Sequence, residues 1–146
     1  HFFRNKRGLR QGDPASSLLF NFVADALAAM LNRARVAGHL RGVVSHLVLG
    51  GVSHLQYADD TLLLFEPDRH SIATIKAILL SFELMSGLKI NFQKCEVVSM
   101  GMETVEGQAM ADLLNCKLGS LPFQYLGLPI AARAPSIQDW APFAPW

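Results

Sequence analysis

The segment His54-Leu55-Gln56-Tyr57-Ala58-Asp59-Asp60-Thr61-Leu62-Leu63-Leu64-Phe65 constrains this chain more than any other, because it sets two neighbouring carboxylates between apolar flanks. Val52, His54 and Gln56 alternate with Ser53, Leu55 and Tyr57, and the run Leu62 to Phe65 is apolar. The segment therefore reads as two short strands joined by a turn at the acidic pair. Adjacent like charges repel, and burying either without a partner is costly. A hairpin tip releases both side chains from the up-and-down alternation of a strand, so both can face one cleft and share a hard cation such as Mg²⁺. The pair also has a plainer reading: Asp is a common turn residue whose carboxylate caps local backbone donors.

Composition narrows the setting. At 146 residues and 51% hydrophobic content the chain suffices for one core, or for a piece of a larger domain, and its start at His1 rather than Met makes a fragment the expectation. A net charge of +1 carries no global nucleic-acid signature. Charge is uneven, however: Arg4, Lys6, Arg7 and Arg10 precede the first acid, Asp13, a cluster suited either to phosphates or to a solvated arm. Cys95 and Cys116 are far apart, with no Cys-x-x-Cys and no His at ligand spacing, so neither a zinc site nor a disulfide framework is indicated and a reduced, intracellular setting is expected. The most apolar segment, Ser17 to Leu31, is short for a membrane span and carries Asn21 and Asp25, so neither a transmembrane helix nor a signal peptide is predicted and no membrane partner is expected.

Three helices are predicted around this hairpin. Asp13 is placed to cap and Pro14 to open a helix from about Ala15, with Leu18, Leu19, Phe22, Val23, Ala26, Leu27, Met30 and Leu31 at three and four spacings and Gly38 beyond its end. Pro67-Asp68 opens a second, with Ile72, Ile75, Ile78, Leu79, Phe82 and Met85 on one stripe and Gly87 as its stop. Glu103 to Asn115 reads as a third, with Val105, Met110, Leu113 and Leu114 as a stripe. Arg41 to Leu49 is strand-like and Gly50-Gly51 a turn, which predicts a third strand beside the hairpin. Phe123 and Tyr125 alternate on a further short strand, either facing a ligand or packing inward. The fold class is α+β: a short antiparallel sheet with its hairpin packed on two to three helices.

Tyr57-Ala58-Asp59-Asp60 resembles the catalytic hairpin of reverse transcriptases, in the Ala-containing form of LINE-type (non-LTR), plant-like retrotransposons. With three further blocks it stands in family order over about Gly8 to Ile130. Arg10-Gln11-Gly12-Asp13-Pro14 and the helix behind it resemble the segment running under the template and incoming nucleotide; the family's Leu-Ser-Pro is Ala15-Ser16-Ser17 here. Glycine at position 12 lets backbone lie against a base or sugar, Gln11 offers a donor beside an acceptor, and Arg10 a fixed-fork cation. Gly87-Leu88-Lys89-Ile90-Asn91-Phe92-Gln93-Lys94-Cys95 resembles the family's Gly-Leu-x-Ile-Asn-x-x-Lys-Ser block, with Cys95 in place of Ser. Leu121 to Ile130 resembles the primer-grip element, which would make Phe123, Tyr125, Leu126 and Gly127 the primer-grip residues.

What the resemblance implies is a polymerase palm over residues 1–130, followed by an irregular Pro- and aromatic-containing tail, 131–146, leading toward a thumb region the chain lacks. Asp59 and Asp60 would be catalytic and metal-holding, part of a cage for two Mg²⁺ about 3.5–4 Å apart, with Mn²⁺ as an alternative ion. Arg10, Gln11, Gly12, Tyr57, Ala58 and Lys94 would contact nucleotide or template, Lys94 as a proton donor to departing pyrophosphate. The implied partners are an RNA template, a DNA primer, a deoxynucleoside triphosphate and the rest of the polymerase chain, in the nucleus or cytoplasm. The family's further aspartate, on a strand N-terminal to the Arg-Gln-Gly-Asp-Pro block, and its fingers are expected to be missing. A lost ligand in a two-metal cage costs several kcal/mol, about a thousandfold in rate, so the isolated chain is expected to be inactive as an RNA-directed DNA polymerase. The alternative is a non-enzymatic retrotransposon remnant that binds nucleic acid or protein through the Arg4 to Arg10 arm and its aromatics. Without its neighbouring strands the first helix and the hairpin edge should expose apolar surface and unpaired backbone, favouring aggregation or partner-seeking.

Overall fold

The computed structural model describes residues 12–133, so Arg10, Gln11, the basic arm and the tail beyond 133 lie outside the described residues. The chain divides into two compact units, His1–Ile90 and Asn91–Trp146, each built around its own short strands.

The first unit opens with α1 (Pro14–Val36). Asp13 ends it as anticipated: its Oδ1 accepts the Ala15 N–H at 2.9 Å, and Pro14, lacking an N–H, opens the helix. Of the apolar stripe only Leu27 and Leu31 are buried, while Leu18, Leu19 and Phe22 are exposed, Phe22 by 64%. At 23 residues α1 is longer than the apolar segment the sequence delimits and is long and apolar enough to cross a membrane; Asp25 lies near its middle and it packs on α2. The hairpin strands are β1 (His54–Tyr57) and β2 (Asp60–Leu63). The second helix, α2 (Arg69–Ser86), is capped by Asp68, whose Oδ1 accepts the Ser71 N–H at 2.9 Å and whose Oδ2 accepts the Ser71 hydroxyl at 2.5 Å, and it stops at Gly87 in the left-handed conformation, φ 73°. Ile72, Ile75, Ile78 and Phe82 of α2 join Leu27, Leu31 and Leu40 in this unit's core. Met85, placed on the stripe from the sequence, is 77% exposed: the stripe drifts off the core before the last turn.

The third strand predicted from Arg41 to Leu49 does not form. Val43 makes a single antiparallel bridge with Val52, through Val43 N–H to Val52 O at 3.0 Å and Val52 N–H to Val43 O at 2.9 Å, and the Glu66 N–H donates to Arg41 O at 3.0 Å. Val44 then turns to φ 52°, a conformation a β-branched residue rarely takes, and residues 45–47 are a turn, so the ladder ends after one rung. The bridge is unusually close: a Cβ on Gly42 would stand 2.8 Å from Val52 O, and one on Gly51 2.8 Å from Gly42 O. Arg35 of α1 closes this loop from the side, donating from Nη1 to Gly50 O at 2.9 Å.

The second unit contains β3 (Glu96–Val98), α3 (Thr104–Leu114), β4 (Lys117–Gly119) and a hairpin of β5 (Phe123–Tyr125) and β6 (Leu128–Ile130). β3 and β4 pair in parallel with α3 between them in the chain, so the α+β fold has three two-stranded sheets rather than one antiparallel sheet. The buried face of α3 is Gly107, Ala111 and Leu114, while Val105, assigned to the stripe from the sequence, is 78% exposed and Leu113 is also exposed. Small residues take the inner face because α3 lies close to its neighbours: a Cβ on Gly107 would stand 2.8 Å from Ser99 Oγ and 3.2 Å from Leu118 Cδ1.

Candidate active site

β1 and β2 pair antiparallel in the register His54 to Leu63, Leu55 to Leu62, Gln56 to Thr61 and Tyr57 to Asp60. The connection is thus the two residues Ala58 and Asp59, one position earlier than a turn at the acidic pair: Asp59 lies in the turn and Asp60 opens β2. Two-residue connections suit the right-handed twist of paired strands when the first turn residue has positive φ. Ala58 takes that role at φ 51°, a conformation that strains any residue with a Cβ.

Opposed residues share a face of the hairpin, so Leu55, Tyr57, Asp60 and Leu62 lie on one side and His54, Gln56, Thr61 and Leu63 on the other. In β1 the first side is the open one: Leu55 is exposed and Tyr57 is 66% exposed, whereas His54 and Gln56 are half-buried. His54 stands 3.1 Å from the buried Ser53 hydroxyl, and burial first, then the Arg35 guanidinium, hold its imidazole below the ordinary value of 6.5. Ala58, Asp59 and Asp60 are exposed at the tip. Among the described residues neither carboxylate has a hydrogen-bond or ion-pair partner, and no third His, Cys, Asp or Glu joins them to complete a metal cluster. Two bare, adjacent carboxylates at an open tip fit a hard divalent cation, whose ligands are oxygens and which relieves their repulsion.

The other residues singled out from the sequence fall on separate elements. Gly12, at φ 85°, precedes the Asp13 cap with nothing within 4 Å of where a Cβ would stand. Glu83 of α2 holds the segment after Gly87, accepting the Ile90 N–H at 2.7 Å and facing Lys89 Nζ at 3.8 Å. In the second unit Lys94 is exposed in the turn leading to β3, its N–H donating to Asn91 O at 2.9 Å. Phe123 and Tyr125 do alternate, both half-buried on one face of β5, with Gln124 exposed. Leu126 and Gly127 form the two-residue turn to β6, both with positive φ (52° and 78°), and the Leu126 side chain is exposed at the tip.

One feature of the first unit had no sequence signal, because its residues are distant in the chain. An open pocket of about 520 Å³ is lined by Gly38, His39, Arg41, Glu66, Pro67, Asp68, His70 and Ser71. His39 Nδ1 and His70 Nε2 are 3.3 Å apart there, and Arg41 faces Glu66 at 3.6 Å. The pocket includes neither Asp59 nor Asp60.

Comparison with known proteins agrees with the motif blocks. The family described as reverse transcriptase (RNA-dependent DNA polymerase) matches residues 1–130. The chain is 32% identical over 108 residues to a retrovirus-related Pol polyprotein from the type-1 retrotransposable element R2 of Popillia japonica, covering 72% of this chain and 16% of the relative. It is 33% identical over 94 residues to the Pol polyprotein from a type-2 R2 element of Drosophila melanogaster, covering 64% and 8%. It is 42% identical over 55 residues to an uncharacterized mitochondrial protein of Arabidopsis thaliana, covering 38% and 45%. The chain therefore spans less than half the length of each of these curated relatives. No solved structure matches it.

Proposed function

The chain belongs to the reverse transcriptase (RNA-dependent DNA polymerase) family, and we propose that it is the palm portion of a LINE-type polymerase whose Asp59 and Asp60 hold the divalent metal for nucleotidyl transfer. The observation that carries this reading is the hairpin tip itself: two adjacent, exposed carboxylates with no partner among the described residues, on a tight turn within the Tyr-Ala-Asp-Asp block.

Asp59 and Asp60 would hold magnesium, which would supply charge neutralisation for the triphosphate and activation of the primer hydroxyl. The protein's own part is positioning. The Ala58–Asp59 turn sets both acids at the tip of a two-stranded ladder, where both are open to a cation. Tyr57, across the ladder from Asp60 on the open face, flanks the primer end or nucleotide sugar, and Ala58 presents only a methyl group there. Arg10, Gln11 and Gly12 contact template or nucleotide, Lys94 donates a proton to departing pyrophosphate, and Phe123, Tyr125, Leu126 and Gly127 grip the primer terminus. The exposed Leu18, Leu19 and Phe22 face of α1 is covered by the rest of the polymerase chain rather than by lipid. RNA template, DNA primer and deoxynucleoside triphosphate are its partners, inside the cell. With two of the acids of a metal cage and no third among the described residues, the isolated chain does not extend primers.

The test is primer extension with Mg²⁺ or Mn²⁺ on poly(rA) annealed to oligo(dT). The isolated chain gives no product. Grafted in place of the aligned 108 residues of the Popillia relative, it supports extension that Asp59→Asn or Asp60→Asn abolishes. Extension by the isolated chain would refute its inactivity; a graft whose activity ignores both substitutions would refute the catalytic assignment. Salt-sensitive nucleic-acid binding by the isolated chain, unchanged in those variants and accompanied by an inactive graft, would favour a binding remnant.

A further inference from the structure

Cys95 and Cys116 are remote in sequence, yet the second unit brings them side by side. Cys95 is the residue before β3 and Cys116 the residue before β4, and those strands pair in parallel with Glu96 opposite Lys117. The Lys117 N–H donates to the Cys95 carbonyl at 3.1 Å, which holds the peptide joining Cys116 to Lys117 against Cys95. One step back along an in-register parallel pair, both side chains leave the same face. Neighbouring strands stand about 4.8 Å apart, within the α-carbon span of about 4.4–6.8 Å that a disulfide bridges. Both thiols are free and half-buried, Cys95 Sγ donating to Asn91 O at 3.3 Å and Cys116 Sγ to Leu114 O at 3.5 Å.

We propose that Cys95 and Cys116 form a redox modification site, a dithiol that closes to an intramolecular disulfide when it meets a small disulfide oxidant such as glutathione disulfide. The Cys95 thiolate attacks one sulfur of the oxidant, forming a mixed disulfide and releasing one glutathione thiolate. The Cys116 thiolate then attacks the Cys95 sulfur, forming the Cys95–Cys116 bond and expelling the second glutathione. The two thiol protons pass to the two glutathione molecules, and the two electrons lost by the protein reduce the glutathione disulfide. Cys95 is the better first attacker: burial raises both thiols, but Cys116 is pushed to about 11 by burial and then by its neighbour Cys95. Closure joins the start of β3 to the start of β4, tying down the turn that carries Lys94 and closing a loop that contains α3. In a reducing compartment such a bond is transient and reports oxidant, unlike a permanent structural bridge.

The chain has two cysteines, so the chemistry is read without ambiguity. The full chain is incubated with glutathione disulfide, quenched in acid, alkylated in denaturant and weighed intact. The expected product is a monomer lighter than the dithiol by two hydrogens, refractory to alkylation, whose unreduced digest links the Cys95 peptide to the Cys116 peptide. Cys95→Ser and Cys116→Ser each stop at a single glutathione adduct. At equilibrium in one glutathione redox buffer the native chain holds more of the closed disulfide than the same chain in urea, because the fold supplies the proximity. Two stable glutathione adducts on the native chain, covalent dimers in place of the closed monomer, or no more closure at equilibrium than in urea would overturn the proposal.

Discussion

Replacing Asp68 by alanine should loosen the first unit by an amount the structure allows to be set in advance. Asp68 satisfies the start of α2 through the Ser71 N–H at 2.9 Å and the Ser71 hydroxyl at 2.5 Å, and α2 supplies four of the core residues, Ile72 within a turn of the cap. Loss of an N-cap costs about 1 kcal/mol, within a range of roughly 0.5–2. For a unit of this size that lowers the thermal midpoint by about 4–8 °C per kcal/mol. The effect carries a pH signature. The Ser71 hydroxyl, then the Ser71 N–H, hold the Asp68 carboxyl below its ordinary value of 3.8. A depressed acid stabilises the fold above its unfolded value and loses that contribution as pH falls through its folded value, so the gap between wild type and Asp68→Ala should be full at pH 7 and should close below pH 3.8. Asp68→Asn keeps an acceptor but not the charge, so it should stay near wild type at pH 7 and lose the acid dependence. Urea unfolding followed by circular dichroism across this pH range measures both. Equal stability of Asp68→Ala and wild type at pH 7, or a gap unchanged in acid, would refute the reasoning.

Three other substitutions test the local geometry. His54 is held below 6.5 by burial and Arg35, so the fold favours neutral imidazole; stability should fall as pH drops from 6.5 toward the lower folded value, and His54→Gln should flatten that slope in urea titrations. Ala58→Gly removes a left-handed strain of about 1–2 kcal/mol and adds about 0.4–1 kcal/mol of unfolded-chain entropy, so the urea midpoint should hold or rise, and a clear fall would show Ala58 to be unstrained. Leu126→Asn places a residue suited to positive φ before Gly127 and should stabilise the β5–β6 hairpin by about 1 kcal/mol while weakening primer binding, as hydrogen exchange and filter binding would show.

The elements legible in the sequence are those whose determinants are local. Asp13 with Pro14, and Asp68 with Gly87, bound α1 and α2 through their own caps, and the hairpin follows from two strands joined by a tight turn. The turn's one-residue offset escaped because Ala58 gives no glycine-like signal for its positive φ. The inner face of α3 is legible at Leu114 but not at Gly107 and Ala111, because small residues take that face, as the close approach at Gly107 requires. The expected third strand fails at Val44, whose β propensity is overridden by the close Gly42–Gly51 approach and the turn that follows. Parallel pairing of β3 with β4, the Cys95 and Cys116 neighbourhood and the His39–His70 pair depend on residues distant in the chain, for which periodicity carries no signal. The candidate acids were legible because they are adjacent in sequence, and the hairpin alone brings Tyr57, Ala58, Asp59 and Asp60 together.

Whether Asp59 and Asp60 hold a divalent cation is measured most directly by Mn²⁺ binding followed by electron paramagnetic resonance. Titrated into the chain, Mn²⁺ should lose its free-ion signal to a bound population at millimolar ion. The Asp59→Asn/Asp60→Asn double variant should leave that signal free, and Asp25→Asn should bind as wild type does. Equal Mn²⁺ binding by the wild type and the double variant, or none by either, would contradict the account.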